Sequence, residues 1–166
     1  MKQNDASPSR VARYALLIAL AMVLSWLESI LPVPTTVPGV KLGLTNLVVI
    51  FALYRMSLRD AVGISLVRVL LVSMTFGNAY SFAYSLTGAA LSLGVMAVLQ
   101  RTGKFSILGI SIAGGVSHNL GQIFVAMAVL GTTQLAWYLP PLMISGTLAG
   151  IAIGIAGGVL TKRIHL

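Results

Sequence analysis

The sequence predicts an all-α integral membrane protein with six transmembrane helices. Hydrophobic residues make up 57% of the 166 positions, and charged residues make up only 8%. The mean hydropathy is +0.96. Soluble domains carry about 25% charged residues, so this chain has too few to cover a surface that faces water. We expect a short cytoplasmic N-terminal segment, residues 1–10, followed by a single transmembrane domain, residues 11–163.

Apolar segments near the length that a bilayer requires place six spans along the chain. The apolar run of the first is too long for a cleaved signal peptide, and Glu28, Pro32 and Pro34 follow it in place of a small-residue cleavage site. The second has a short apolar run, and beginning it at Pro38, a favourable first-turn residue, makes it long enough. The other four lie between charged or glycine-containing turns. The spans are predicted at about 11–31, 38–55, 58–76, 80–100, 106–130 and 139–161.

The basic residues fall on one side of these spans. Nine of the eleven lysines and arginines lie there, namely Lys2, Arg10, Arg13, Arg55, Arg59, Arg101, Lys104, Lys162 and Arg163. By the positive-inside rule both termini are cytoplasmic, which predicts a multi-pass protein of a bacterial cytoplasmic membrane. Topology therefore explains the net charge of +8, and nucleic acid is not an expected partner. Asp5 and Asp60 are interpreted as ordinary surface charges on the same side.

Small residues at four-residue spacing indicate close helix packing. Span six carries them at Gly146, Gly150, Gly154 and Gly158. Such a stripe lies on one helix face and lets a neighbouring backbone approach, so internal packing is the favoured interpretation. Gly88 and Ser92 stand in the same relation in span four. Ala15 and Ala19 do so in span one, where internal packing and contact with a partner protein remain open.

Three charged residues, Glu28, Lys41 and Arg68, are not explained by topology. Arg68 lies about 14 Å of helix rise from Arg59, near the middle of the membrane. An arginine there costs about 2.5–3.5 kcal/mol on insertion scales, which makes a partner or ligand expected. His118 lies at a similar level, about 18 Å from Ser106.

The segment around His118 adds two amides. Spacings of three and four residues place His118, Asn119 and Gln122 on one helix face, which we expect to point into the bundle because lipid contact would be costly. Further polar groups lie in the outer half of the protein. The predicted substrate-binding residues are Glu28, Lys41, Asn46, Arg68, Asn78, His118, Asn119 and Gln122. Their excess of cations and amide donors suits a small anionic or phosphate-bearing ligand.

Structural alternatives stand beside this site. Glu28 could pair with Arg68 or Lys41 inside a purely structural bundle, since buried charges are usually paired. The amides and the imidazole could satisfy interrupted backbone, and Lys41 could extend to lipid headgroups. The chain has no cysteine and three acidic residues, so we expect no metal site, no cofactor and no catalytic residues.

The residues also carry a family resemblance. Residues 37–46 contain P-G-x-K-L-G-L-x-N, a pattern that resembles the signature of the heptaprenyl diphosphate synthase component I family, also labelled the Gx transporter family. Leu66–Leu70, His118–Gln122 and Tyr138–Pro140 fit the same family, which is similar to substrate-binding S components of energy-coupling-factor (ECF) transporters. The resemblance implies an S-component-like bundle with an outward-facing site beneath the loop between spans one and two. It also implies that Ala15 and Ala19 dock a transmembrane coupling subunit, which works with two ATPases.

The family's name suggests an enzyme, but the acidic residues do not fit one. Prenyl diphosphate synthases need clustered aspartates to hold Mg²⁺, whereas this chain has only Asp5, Asp60 and Glu28, far apart. A G-x-x-x-x-G-K-[ST] nucleotide-binding loop is also missing. We therefore expect a non-enzymatic, substrate-binding subunit of an ECF-type importer for a small nutrient or precursor of the anionic, prenyl-bearing or phosphate-bearing kind. The alternative is a non-catalytic membrane accessory subunit that serves a soluble prenyl diphosphate synthase subunit.

Overall fold

The computed structural model describes residues 8–30 and 43–164, and these residues are almost entirely helical. They form no strand. The elements are α1 (Pro8–Ile30), α2 (Asn46–Arg55), α3 (Leu58–Thr75), α4 (Ala79–Thr102), α5 (Ile107–Leu130), a 3₁₀ helix (Gln134–Tyr138) and α6 (Leu139–Arg163). The predicted all-α class with six α-helices is confirmed.

The helix ends follow local sequence signals. Ser57, Asn78 and Ser106 each accept a hydrogen bond from the backbone N–H three residues further on, which begins α3, α4 and α5. Gly103 and Gly131 end α4 and α5 at positive φ values of 67° and 61°. A residue with a side chain would be strained in this left-handed conformation, so glycine makes the short turns possible.

The second helix is shorter than the sequence predicts. It has 10 residues, which corresponds to about 15 Å of rise. Gly43 adopts φ 82° just before it, and residues 43–45 form a turn. An unbroken helix from Pro38 to Arg55 is therefore wrong, because left-handed backbone at Gly43 interrupts it. Pro38 itself lies outside the described residues.

Glycines bring α5 and α6 into backbone contact. A methyl group added to Gly150 would lie 2.6 Å from Cα of Ile112, and one added to Gly154 would lie 2.9 Å from Cα of Leu108. Gly146 packs on Gly115 in the same way. Internal packing is thus confirmed for three of the four glycines in the stripe. At Gly158 the same test meets no atom within 4 Å.

The interface between α4 and α5 is equally close. A methyl group on Gly121 would lie 2.9 Å from Cα of Gly88. Ser92 donates a hydrogen bond of 2.8 Å to the carbonyl of Gly114. Gly88 and Ser92 therefore serve helix packing, as their spacing indicates. Helix α5 lies between α4 and α6 and is the centre of this side of the bundle.

The other side of the bundle is built from α1, α2 and α3. Its core is apolar and continues onto α4, with Ile50, Ile64 and Met96 at most 1% exposed. Helix α1 covers this core with one face only. The opposite face of α1 leaves Leu16 69% and Val23 53% exposed.

Basic residues at the ends of several helices lie at one end of the bundle. Arg10 of α1 forms an ion pair of 3.0 Å with Asp60 of α3. Arg55 at the end of α2 donates to the carbonyl of Thr161 near the end of α6. Tyr14 also donates to Asp60, which is buried. Asp60 is therefore not an ordinary surface charge, and that prediction is wrong: the carboxylate joins α1 to α3.

Four helices are long and apolar enough to cross a bilayer, which indicates a multi-pass membrane protein. They are Arg10–Ile30, Ala79–Thr102, Ile107–Leu130 and Gln134–Arg163. Helix α2 is shorter, and α3 carries Arg59, Asp60 and Arg68. That these two also lie within the bilayer, and that both termini are cytoplasmic, stays a prediction.

Candidate functional site

Glu28 and Ser25 on α1 reach two neighbouring elements. Both side chains are buried, with Glu28 4% and Ser25 0% exposed. One Glu28 carboxylate oxygen accepts hydrogen bonds from the backbone N–H of Gly43 and, at 3.3 Å, from that of Leu44. Ser25, three residues earlier on the same face, contacts Arg68. Helix α1 thus joins the turn before α2 to the middle of α3.

Arg68 is 3% exposed and has few partners. Its Nη1 lies 3.5 Å from Oγ of Ser25, while its Nε and Nη2 have no hydrogen-bond partner in the described structure. A buried donor without a partner costs about 1–3 kcal/mol. Glu28 acts on Arg68 electrostatically. Between these two described residues, however, the structure contains no ion pair within 4.0 Å.

The turn before α2 places Gly43 against both Asn46 of α2 and His118 of α5. At Gly43, an added methyl group would lie 3.2 Å from Nδ2 of Asn46 and 3.3 Å from Cδ2 of His118. The side chains of Thr45, Asn46 and His118 are buried. Nδ2 of Asn46 and Oγ1 of Thr45 lack a partner in the part of the chain that is described. The turn therefore places polar atoms in the bundle interior.

His118 and Gln122 face α4 at Gly88. A methyl group on Gly88 would lie 3.0 Å from Cε1 of His118 and 3.1 Å from Cγ of Gln122. Glycine at this position leaves the room that both side chains occupy. Gln122 is 0% exposed, so the two side chains point into the bundle, as predicted.

Asn119 points to a different helix. Its Nδ2 donates to the carbonyl of Leu142 at 2.7 Å and to Oγ of Ser145 at 3.3 Å, both on α6. The prediction that Asn119 shares one face with His118 is wrong, because consecutive residues are turned by about 100° around the helix. Asn119 therefore links α5 to α6 through its Nδ2, and its role in substrate binding stays a prediction.

The remaining predicted residues lie apart from this buried set. Asn78 is exposed and caps α4 reciprocally with Ser81. Lys41 lies outside the described residues. Ala15 and Ala19 are exposed on the outer face of α1. Of the predicted residues, Glu28, Asn46, Arg68, His118 and Gln122 are buried in the bundle. Contacts in the described structure join Glu28 to the turn at residues 43–44, that turn to Asn46 and His118, and Arg68 to Ser25 of α1.

Sequence reasoning missed Ser25 and Thr45. Ser25 precedes Glu28 by three residues, a spacing that places both on one helix face and could have revealed it. Thr45 is adjacent to Asn46 and 1% exposed. No comparable signal marks Thr45, because its position depends on the turn at Gly43.

The arrangement suits an acceptor of hydrogen bonds. Arg68 supplies a fixed positive charge and two nitrogens, Nε and Nη2, that lack hydrogen-bond partners in the described structure, and Asn46 adds an amide donor. The Glu28 carboxylate is engaged by backbone N–H groups. Within the described residues, no three histidine or acidic side chains come together as a metal site. A polar, donor-rich interior of this kind favours a small anion.

Comparison with known proteins identifies one family. A family model described as heptaprenyl diphosphate synthase component I matches residues 17–160. No curated protein and no solved structure matches the chain. The family match spans well over half of the sequence and includes Ser25, Glu28, Arg68 and His118. The chain therefore belongs to the heptaprenyl diphosphate synthase component I family.

Proposed function

We propose that the protein is a non-catalytic, substrate-binding membrane subunit of an ECF-type importer. Its ligand is a small anionic nutrient or precursor, of the prenyl-bearing or phosphate-bearing kind. The observation that carries this proposal is Arg68, a buried cation whose Nε and Nη2 lack partners in the described structure. A guanidinium cannot lose its proton to escape this environment, so an anion is the expected complement.

The surroundings of Arg68 support a binding site over a structural charge. A purely structural arginine would be expected in direct contact with Glu28, but Glu28 accepts from the turn at residues 43–44. Asn46 and His118 meet the same turn. A bound anion would take hydrogen bonds from Arg68 and Asn46, with His118 beside it to fix its orientation. We also propose Lys41, which lies outside the described residues, as a second cation for the ligand.

The exposed face of α1 supports a partner in the membrane. Ala15 and Ala19 lie one turn apart on this face, and small residues allow close helix approach. A largely apolar groove lies on another face of α1, between α1, α2 and the end of α6, and is lined by Arg13, Leu16, Leu17, Leu20, Leu47, Val48, Phe51, Leu160 and Ile164. We propose that a transmembrane coupling subunit docks at Ala15 and Ala19 and passes on the energy of two ATPases. The protein would lie in a bacterial cytoplasmic membrane with both termini cytoplasmic.

A second candidate function is favoured by the family match. The family is described as a component of heptaprenyl diphosphate synthase. In this alternative the protein is a membrane accessory subunit that presents a prenyl diphosphate to a soluble synthase subunit. Both candidates need an anion site at Arg68, and they differ in the partner.

Ligand retention tests the shared part of the two candidates. We expect native mass spectrometry of the gently purified protein to show a bound small molecule. Arg68→Ala and His118→Ala should each release it while the protein stays folded and monodisperse. Arg101→Ala, at the exposed basic end of α4, serves as the control and should retain it. Unchanged affinity in both site variants would show that the site is assigned to the wrong residues.

Co-purification separates the two candidates. An importer subunit should bring down a coupling subunit and two ATPases, and Ala15→Leu with Ala19→Leu should abolish that association without affecting ligand retention. Ala152→Leu, on an exposed face of α6, is the matched control. Recovery of a synthase subunit instead would support the accessory function and reject the importer.

A further inference from the structure

We propose that Arg68 binds the anion side-on, through Nε and Nη2 together. The anchoring group of the ligand is then a carboxylate or a phosphate that presents two oxygens to one arginine. This inference rests on the proposed function and adds the chemical class of the ligand's anchoring group.

The contacts of the guanidinium identify the edge that binds. Nη1 is directed at Oγ of Ser25, at 3.5 Å, and Ser25 is fully buried. Nε and Nη2 are the two atoms without partners in the described structure. In a planar guanidinium these two nitrogens form one side, from which two parallel N–H bonds point in the same direction. The remaining edge is therefore the one that matches a two-oxygen anion.

The neighbouring carboxylate does not fill this edge. Glu28 lies on the same face of α1 as Ser25, yet its oxygen accepts from the N–H groups of Gly43 and Leu44. This oxygen of Glu28 is thus engaged by the turn, and Nε and Nη2 of Arg68 have no hydrogen-bond partner in the described structure. Ser25 and Glu28 together position Arg68 without using the two donors that a ligand needs.

Lysine at this position distinguishes side-on binding from simple charge attraction. It keeps the positive charge but has a single nitrogen and cannot form two parallel hydrogen bonds. If charge alone held the anion, Arg68→Lys would bind nearly as well as the wild type. Because two donors of fixed geometry are required, we expect at least tenfold weaker binding. Arg59→Lys, the same change at an exposed position of α3, should leave binding unchanged.

The experiment uses the full chain in detergent with defined anions. Inorganic phosphate, inorganic diphosphate and acetate are titrated at constant ionic strength against sodium chloride, and the melting temperature is followed. We expect a saturable rise in melting temperature with phosphate or diphosphate if the ligand is a phosphate, and with acetate if it is a carboxylate. Arg68→Lys should move the titration midpoint at least tenfold upward. No saturable rise with any of the three anions, or an unchanged midpoint in Arg68→Lys, overturns the inference.

A second measurement needs no variant. In protein labelled with ¹⁵N-arginine, side-on binding shifts one Nε–H resonance downfield as the anion is added. Contact through a terminal nitrogen alone leaves the Nε–H resonances in place and overturns the inference.

The two proposals fail in different ways. If native mass spectrometry shows a retained molecule that Arg68→Ala loses and Arg68→Lys keeps, the binding subunit stands and the side-on contact is wrong. If no molecule is retained and the anion shifts persist in Arg68→Ala, the binding site itself is wrong.

Discussion

The two sides of the bundle are held together by different physical means. Helices α4, α5 and α6 touch through backbone, with Gly88 against Gly121 and Gly150 against Ile112. Helix α1 is attached to α3 and to the turn before α2 by polar side chains, among them Asp60, Glu28 and Arg68. Backbone contact between helices is rigid and leaves no room for a ligand. Polar contacts at the edge of a bundle can be exchanged for contacts with one.

This difference indicates that the two sides of the bundle have different roles. The glycine-packed side is a scaffold that presents His118 and Gln122 at a fixed position. The α1 side carries Arg68, whose donors are only partly used, beside a helix that is exposed along its outer face. Changes at the glycine contacts of the first side should therefore affect folding, whereas removing Arg68 on the second side should affect ligand binding more than folding.

The largest effect is expected where the scaffold is tightest. Gly150→Ala would place a methyl group 2.6 Å from Cα of Ile112, and neither backbone can yield cheaply. We expect a loss of about 3 kcal/mol in the free energy of unfolding, as for severe overpacking. Gly158→Ala meets no atom within 4 Å and should change stability by no more than about 0.5 kcal/mol. Reversible unfolding in mixed micelles measures both, and equal losses would contradict the assigned interface.

Arg68→Met separates binding from folding. Charge-assisted hydrogen bonds contribute about 1.5–3 kcal/mol each, so losing the two proposed bonds should weaken ligand binding by about 100-fold or more. The ligand-free protein should gain about 1 kcal/mol, since an apolar side chain replaces a buried charge with few partners. Ligand titration by mass spectrometry and thermal unfolding test the two halves. A less stable ligand-free variant would mean that Arg68 is structural. Changes on both sides of the bundle would then act mainly on folding.

Glu28→Ala should loosen the attachment of α1. It removes the acceptor for the N–H groups of Gly43 and Leu44, and a buried unpaired donor costs about 1–3 kcal/mol, so we expect a loss of about 2 kcal/mol. Ser29→Ala, one residue away and exposed, is the control. Amide hydrogen exchange at Gly43 and Leu44 should rise in the first variant and stay constant in the second. Unchanged exchange in both would show that Glu28 does not hold the turn.

The smallest effect is expected at the basic end. Asp60→Asn removes an ion pair with Arg10, whose side chain is 52% exposed, and such pairs contribute about 0.5 kcal/mol. Tyr14 can still donate to the amide oxygen. Thermal unfolding should show a small loss, and ligand retention should not change. Release of the ligand by this variant would reveal coupling between the two ends of α1.

The sequence predicted that small residues at four-residue spacing pack against another helix, but it did not predict which residues they contact. The repeat at Gly146, Gly150 and Gly154 correctly indicated a close interface. Gly158 continues the repeat, but a methyl group added there would meet no atom within 4 Å, whereas one added to Gly157 would lie 2.8 Å from Cγ2 of Ile50. A four-residue repeat drifts around a helix of 3.6 residues per turn, so its far end leaves the neighbour. The position of α2 therefore decides whether glycine is required at Gly157 or at Gly158.

The sequence predicted which polar and charged residues lie in the interior of the bundle, but not which residues they form hydrogen bonds with. Glu28, Asn46, Arg68, His118 and Gln122 were expected in the interior because lipid contact would be unfavourable, and all are buried. The partner of each could not be inferred. Asn119 turns to α6, and Glu28 accepts from a turn whose left-handed glycine no spacing rule foresees. Asp60 was misjudged because its partner lies 50 residues away.

The sequence by itself determined the membrane class, the six helices, the side on which basic residues collect, and the few charges that topology leaves unexplained. These follow from local composition and periodicity, since each span must satisfy its own backbone hydrogen bonds within the bilayer. The tertiary structure alone decided that Glu28 binds the turn at residues 43–44, that Ser25 holds one end of the Arg68 guanidinium, and that Nε and Nη2 remain available. Hydrogen bonds are directional and act over about 3 Å, so their partners are set by how helices distant in the chain pack together.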